Sequence, residues 1–266
     1  MNSKKINNHE LIKKLESIFP ISLASDWDKP GKQIQELDNE IILTDSVVVC
    51  LDVTAKVVQF AINHNSNLIV SRHPFMFNEW EIEMSNVTKK SLYEKMIEHK
   101  IQVYSIHTNY DASENRFFIR EGLAQIFENF KVKTSKFNSE TLEIKLDSEL
   151  KKGEIIRLLK SLFKTSNPQF SSNTDLNEKI NSFYFCSGSG ADVLIESNLK
   201  DIMFVTGEIK WNQWIYINEN NISAVALGHY MENTFVKYIA NLIKENFVNI
   251  NAYKFNINNM YEQLKG

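Results

Sequence analysis

Hydrophobic and polar residues follow two patterns along the chain, one typical of helices and one typical of buried strands. Apolar residues at helical spacing predict helices over 9–19, 54–64 and 88–98. Continuous apolar runs predict the strands SVVVCLDV (46–53), NLIVS (67–71) and IQVYSI (101–106). Because these strands alternate with helices, the first part of the chain favours a largely parallel sheet covered by helices.

The second half shows a similar order of elements. Residues 131–147 alternate polar and apolar side chains, which predicts one half-exposed antiparallel strand. Beyond it the pattern predicts strands at 182–187, 202–206 and 223–227, a last strand in NINAYKFNI (249–257), and helices at 115–130, 154–163, 191–199, 209–217 and 231–245. We therefore predict an α/β fold of two lobes, 1–130 and 131–266, with mixed, largely parallel sheets. The end of the chain, from about 226, is the candidate segment to pack back on the first lobe.

Composition narrows the class of protein. The chain has 266 residues and a formal charge of −3, without a dense basic stretch, so nucleic acid is not expected as a partner. No window approaches the length of an apolar membrane span, and the N-terminus lacks the apolar core of a signal peptide. Cys50 and Cys186 lie within apolar runs and are expected as buried thiols, which favours a cytoplasmic protein.

Polar and metal-liganding side chains accumulate directly after the predicted strands. In open α/β sheets the loops after the strands converge on one edge, where ligands bind. Imidazole and carboxylate groups without a nearby thiolate favour a catalytic type of site for zinc, iron, manganese or nickel. The residues in these positions are Asp52, Arg72, His73, His107, Asp111, Glu208 and His229.

Three further features have competing interpretations. His229 and Glu232 are three residues apart at the start of a predicted helix, so both side chains can point to the same side and either share one metal ion or bridge two. CSGSGAD (186–192) places two glycines between a strand and a helix; this is either a phosphate-binding turn or, as we favour, a tight structural turn. Trp211 and Trp214, three apart on a helix, favour packing against the core or a partner over base stacking.

Several motifs in order resemble the dinuclear metal-centre proteins known as GTP cyclohydrolase 1 type 2 homologues, or Nif-three-like proteins. The matching segments span nearly the whole chain. They are LASDWDKPGKQI (23–34), VCLDVT (49–54), LIVSRHPFMF (68–77), YSIHTNYD (104–111), CSGSGAD, FVTGEIKW (204–211) and ALGHYMEN (226–233).

The resemblance implies two α/β lobes, a toroidal homohexamer and two adjacent divalent metal ions in a cleft between the lobes. Carried over by position, His73, Asp111 and His229 are metal ligands. Asp52, His107 and Glu208 face the substrate or support the ligands, and we assign them catalytic roles.

The chain departs from the family pattern at two positions. Arg72 stands where the family has the first histidine of a pair, and a guanidinium cannot bind a metal because it has only donors. Arg72 is therefore a candidate to replace a metal charge or to clamp an anionic group of the substrate. The usual glutamate four residues after the late histidine is Asn233, so Glu232 is the expected ligand, with Asn233 as a neutral reserve.

We therefore predict a divalent-metal-dependent hydrolase-like protein with one or two metal ions per subunit. The substrate is expected to be a small molecule, with a nucleotide or purine ring as the first candidate. The alternative is a non-enzymatic ring scaffold that binds a metal or a partner through a partly degraded site. A phosphoesterase is a third and weaker hypothesis, since two metals are normally used there.

Overall fold

The computed structural model describes residues 8–37 and 44–257. Within these residues the chain forms two compact units. Unit 1 comprises the described residues up to Ser113 together with those from Phe235 onward, and unit 2 comprises Glu114–Thr234. The sequence placed a division at 130/131, whereas the two units divide after Ser113 and again after Thr234.

The helices occur throughout the described chain. They are α1 (Asn8–Ile18), α2 (Ala55–Asn63), α3 (Trp80–Ser85), α4 (Val87–Glu98), α5 (Thr108–Ala112), α6 (Leu123–Ile126), α7 (Lys152–Phe163), α8 (Asp192–Glu196), α9 (Trp211–Glu219) and α10 (Thr234–Asn246). Short 3₁₀ segments lie at Ile21–Leu23, Gln35–Leu37 and His229–Asn233, and a π-helical turn at Phe118–Gly122 precedes α6.

The strands fall into one sheet in each unit. They are β1 (Gly31–Lys32), β2 (Ser46–Cys50), β3 (Leu68–Ser71), β4 (Gln102–Ser105), β5 (Phe130–Thr134), β6 (Leu142–Lys151), β7 (Gln169–Phe170), β8 (Lys179–Phe185), β9 (Met203–Thr206), β10 (Ser223–Ala226) and β11 (Asn251–Phe255).

The sheet of unit 1 has the order β1-β4-β3-β2-β11 within the described residues, and all its pairs except β1–β4 are parallel. Every residue of β2, β3 and β4 is buried, as expected for central strands covered on both faces. Thr54 caps α2 by accepting a hydrogen bond from the amide of Val57. The carboxyl ends of β2, β3 and β4 therefore lie side by side.

The sheet of unit 2 has the order β5-β6-β8-β9-β10-β7. The pairs β8–β9 and β9–β10 are parallel, while the outer pairs are antiparallel. α7 contributes apolar side chains, among them Ile155 and Leu159, to the core of this sheet. The carboxyl ends of the three parallel strands β8, β9 and β10 form a second common edge.

The prediction of an α/β fold with two mixed sheets and covering helices is confirmed. The single strand predicted over 131–147 is wrong, because Ser135 and Asn138 hold a turn through bonds with Thr141 that separates β5 from β6. The residues between His107 and Asp111 lack helical periodicity and so predict a loop, but this prediction is also wrong, because they form the helix α5. Its buried residues are mostly polar, so hydrophobic periodicity gave no signal.

Candidate metal centre

The unit 1 edge consists of Asp52, Arg72, His73, His107 and Asp111, which follow the adjacent parallel strands β2, β3 and β4. Nδ1 of His73 lies 2.7 Å from a carboxylate oxygen of Asp52. The rings of His73 and His107 are 5.6 Å apart and nearly perpendicular. Because Asp52 fixes Nδ1, Nε2 is the nitrogen through which His73 could coordinate a metal.

His107 is oriented by Asp28, a residue that the sequence analysis did not select. Nδ1 of His107 lies 2.8 Å from Oδ1 of Asp28, whose side chain is fully buried. The other carboxylate oxygen accepts hydrogen bonds from the amide and the hydroxyl of Thr108. Burial acts to raise the pKa of Asp28, but His107 and Thr108 outweigh it and lower the pKa to about 2. Asp28 therefore stays ionised and fixes the imidazole orientation.

Arg72 and Asp111 form a buried ion pair in unit 1, with Nη2 of the arginine donating to Oδ2 of the aspartate. The two residues are 1% and 6% exposed. Nη1 also donates to the carbonyl of Ile106 at 3.5 Å, and the guanidinium lies 5.3 Å from the ring centre of Tyr110. The predicted metal ligand Asp111 thus faces a permanent organic cation.

A cavity of about 260 Å³ adjoins His73 at the unit 1 edge. Its lining includes Asp52, His73, Thr88 and Lys89, so polar groups converge on a space that fits a small molecule. The exposed rings of Trp27 and Phe77 lie 5.8 and 6.2 Å from the ring of His107. Exposed aromatic rings beside an imidazole offer contact surface to a planar ligand.

The unit 2 edge consists of Ser187, Glu208, His229 and Glu232, which follow the parallel strands β8, β9 and β10. Nδ1 of His229 lies 3.2 Å from Glu208, and its Nε2 lies 3.0 Å from Oε2 of Glu232. Glu232 is 5% exposed, and its other oxygen accepts a hydrogen bond from Ser187 at 3.1 Å. A buried carboxylate and a partly exposed imidazole are therefore held together.

The 3₁₀ segment His229–Asn233 explains why Glu232 takes this position. With three residues per turn, residues i and i+3 lie on the same face, so Glu232 faces His229. Asn233 lies off that face, and its Nδ2 donates to the hydroxyl of Tyr230 at 2.9 Å. Its buried Oδ1 has no hydrogen-bond partner among the described residues, which leaves one neutral oxygen for a cation.

The glycine-rich segment forms a tight turn against the end of β9. The carbonyl of Gly188 accepts hydrogen bonds from the amides of Gly207 and Glu208 at 2.8 and 2.9 Å. Gly188 has a φ of +61°, and a Cβ there would lie 2.9 Å from a carboxylate oxygen of Glu232. The glycine therefore leaves room for the Glu232 carboxylate, and the turn serves the structural role that we favoured.

The donor groups fit a divalent metal ion at the unit 2 edge. Two ligands of a tetrahedral zinc ion, each about 2.1 Å from the metal, lie about 3.4 Å apart. Nε2 of His229 and Oε2 of Glu232 are 3.0 Å apart, close to that separation. His229 and Glu232 thus offer one imidazole nitrogen and one carboxylate oxygen, two ligand atoms of the kind that bind a divalent metal ion.

Other residues singled out in the sequence have different surroundings. Trp214 packs partly against the core formed by β9, β10 and α9, whereas Trp211 is 81% exposed. Cys50 and Cys186 are both buried, as predicted, and burial together with the charge of Asp52 raises the pKa of the Cys50 thiol. No helix in the described ranges combines the length and apolarity needed to cross a bilayer.

The fold and these side chains define a two-unit α/β protein with a candidate site for a divalent metal. The chain belongs to the Duf34/NIF3 (NGG1p interacting factor 3) family, whose model matches residues 6–261. A Mycoplasmopsis pulmonis protein called GTP cyclohydrolase 1 type 2 homolog is 31% identical over 250 residues, covering 91% of this chain and 96% of the relative. The Schizosaccharomyces pombe protein NIF3 homolog is 27% identical, covering 94% and 95%.

Solved structures show the same fold. The Staphylococcus aureus hypothetical protein SA1388 matches with a TM-score of 0.82 and 20% identity, covering 98% of this chain and all of that structure. A Bacillus cereus protein related to NIF3 matches with a TM-score of 0.82 at 17% identity and the same coverage. The resemblance found in the sequence motifs is thus confirmed.

Proposed function

We propose that this chain is a divalent-metal-dependent hydrolase-like protein whose metal is held at the unit 2 edge by Glu232 and His229. The observation that carries the proposal is the buried Glu232 carboxylate, held 3.0 Å from Nε2 of His229. A buried carboxylate beside an imidazole suits zinc, iron, manganese or nickel. Glu208 contacts the Nδ1 of His229 and so fixes which nitrogen of that ring faces the metal. Asp52 holds the Nδ1 of His73 in the same way within unit 1.

A divalent ion bound there would lower the pKa of a water molecule and so supply a nucleophile near neutral pH. His107 is the group that we assign to proton transfer. The ionised Asp28 holds its Nδ1, which leaves Nε2 to take a proton from, or give one to, the reacting atoms. Asp28 also stabilises the imidazolium that forms when His107 accepts a proton.

The proposed substrate class is a nucleotide or another molecule with a purine ring. Relatives named GTP cyclohydrolase 1 type 2 homolog support this class, and the nominal reaction is hydrolytic opening of the guanine imidazole ring of GTP with release of formate. The exposed rings of Trp27 and Phe77 beside His107 offer apolar contact to a base. Lys89 in the nearby cavity offers a positive charge to a phosphate, although it also pairs with Glu83.

The first test is elemental analysis of untagged protein that has not met a chelator. We expect about one metal ion per chain in the wild type and almost none in Glu232→Gln, whereas Glu219→Gln on the exposed face of α9 keeps the metal. Absence of metal from the wild type, even after incubation with zinc, manganese, iron and nickel, would refute the proposal.

Turnover is then measured as formate release from GTP and from a panel of other nucleotides. We expect His107→Gln to abolish turnover while the metal content stays unchanged, because His107 moves protons and is not a ligand. Trp27→Ala should raise KM and leave kcat nearly unchanged if the ring contacts the base. Equal turnover by wild type and His107→Gln would exclude the assigned role.

A non-enzymatic metal-binding or partner-binding scaffold is the second candidate. It is favoured by one specific observation, the ion pair of Arg72 with Asp111, which engages a residue that the family pattern assigns to the metal.

We also propose that the chain is cytoplasmic and assembles into a homohexamer, as the resemblance implies. Light scattering after size exclusion measures that assembly, and bound metal without turnover of any substrate would favour the scaffold.

A further inference from the structure

The buried ion pair of unit 1 suggests a new assignment for the metal stoichiometry. We infer that the Arg72 guanidinium is the permanent counter-ion of the Asp111 carboxylate. Asp111 is therefore not a metal ligand, and the chain binds one divalent ion instead of two. The claim that the chain binds one divalent ion rests on the proposed function. The claim that concerns Asp111 rests on the contacts within unit 1.

The chemistry of the pair excludes a metal ion at Asp111. A guanidinium keeps its charge at any pH that the protein experiences and has no lone pair to offer, so Arg72 cannot act as a ligand. A divalent cation beside Asp111 would meet that positive charge in a region where both side chains are almost fully buried. Repulsion between like charges is strong where water is excluded, so the guanidinium and the metal compete for one carboxylate.

The backbone fixes the arginine and its surroundings. The amide of Arg72 donates to the carbonyls of Cys50 and Leu51 at 3.1 and 3.2 Å, which ties the residue to the end of β2. The partners of the guanidinium in unit 1 include the Asp111 carboxylate, the Ile106 carbonyl and the face of Tyr110. Withdrawal of Arg72 from Asp111 would break all these contacts together, so the pair is a fixed part of the structure.

Asp111 is equally constrained. It lies on the buried helix α5, whose first residue, Thr108, donates hydrogen bonds to Asp28. Its own amide donates to the carbonyl of His107 at 3.4 Å. The carboxylate is therefore placed against the guanidinium by local structure that does not depend on a metal.

The test measures bound Zn²⁺ and Mn²⁺ per chain by elemental analysis after equilibration and removal of excess ion. The full-length wild type is compared with Asp111→Asn, Arg72→His and the double variant Arg72→His/Asp111→Asn. We expect one equivalent in the wild type and one in Asp111→Asn. Arg72→His should gain one equivalent over the wild type, because it exposes the buried carboxylate to a cation and supplies an imidazole, and the double variant should lose that gain.

The outcomes separate the two proposals. Loss of the ion in folded Asp111→Asn, two equivalents in the wild type, or no gain in folded Arg72→His would each overturn the inference while leaving the proposed metal dependence intact. A wild type without metal would overturn the proposed function, and the gain in Arg72→His would still decide the role of the guanidinium. Circular dichroism establishes folding, and if Arg72→His does not fold, Asp111→Asn decides.

Discussion

The two units place polar side chains at the same kind of sheet edge but balance their charges differently. At the unit 1 edge the carboxylates of Asp52 and Asp111 each contact a basic group, His73 and Arg72 respectively. At the unit 2 edge two carboxylates, Glu208 and Glu232, contact the single imidazole of His229. Strand topology therefore sets where a site forms, while the local number of acidic and basic side chains sets which edge attracts a cation.

The largest effect is expected from removal of the internal cation at the unit 1 edge. Arg72→Met leaves the buried Asp111 carboxylate without its guanidinium, and the loss of one partner of a buried pair costs about 3–5 kcal/mol. Urea unfolding measures the change. The double variant Arg72→Met/Asp111→Leu should recover most of the stability, and a double variant no more stable than the single one would show that the pair is not the source of the loss.

At the unit 2 edge we expect a large loss of metal affinity and only a small loss of stability. Glu232→Gln removes the buried charge that attracts the metal, so affinity for Zn²⁺ should fall by at least about 100-fold, measured by calorimetric titration. The free energy of unfolding without metal should change much less than in Arg72→Met. Unchanged zinc affinity would place the metal elsewhere.

Acid should lower the free energy of unfolding by protonating Asp28 in unit 1. Its pKa is about 2 in the folded chain, against an ordinary value of 3.8, so ionised Asp28 stabilises the fold. The contribution, about 2 kcal/mol, is complete above about pH 4 and is lost as the pH falls toward 2. Unfolding measured from pH 5 to pH 2 should therefore show a shallower dependence in Asp28→Asn than in the wild type. Parallel curves would contradict this assignment.

The smallest effect is expected from the turn beside Glu232. Gly188→Ala places a Cβ at positive φ and 2.9 Å from the carboxylate, which should cost about 1–3 kcal/mol and displace Glu232. Zinc affinity should fall together with stability, whereas Ser189→Ala, the exposed neighbour, should change neither. A variant with lower stability but normal zinc affinity would separate the turn from the ligand.

The edges themselves were predictable from the sequence because buried strands have a strong apolar signal and polar residues follow them directly. The strands beginning at Ser46 and Leu68 and the C-terminal strand Asn251–Phe255 were confirmed in this way. The pairing of that last strand with β2 depends on contacts across about two hundred residues. Periodicity alone does not contain such information.

The contacts within the candidate site were harder to predict from the sequence. Asp28 lies 79 residues before His107 in a polar segment, so no local spacing connects them. The ion pair of Arg72 with Asp111 depends on α5, whose buried polar residues gave no helical signal. The match of His229 with Glu232 was proposed from helical spacing, and the 3₁₀ segment brings the two side chains together through its three-residue turn.

The most direct test of the difference between the two edges is a crystal soaked in zinc, with anomalous diffraction recorded at the zinc absorption edge. We expect one strong peak within coordination distance of Glu232 and His229 and no peak beside Asp111. A peak beside Asp111, or no peak beside Glu232, would refute the assignment of a single metal ion to the unit 2 edge.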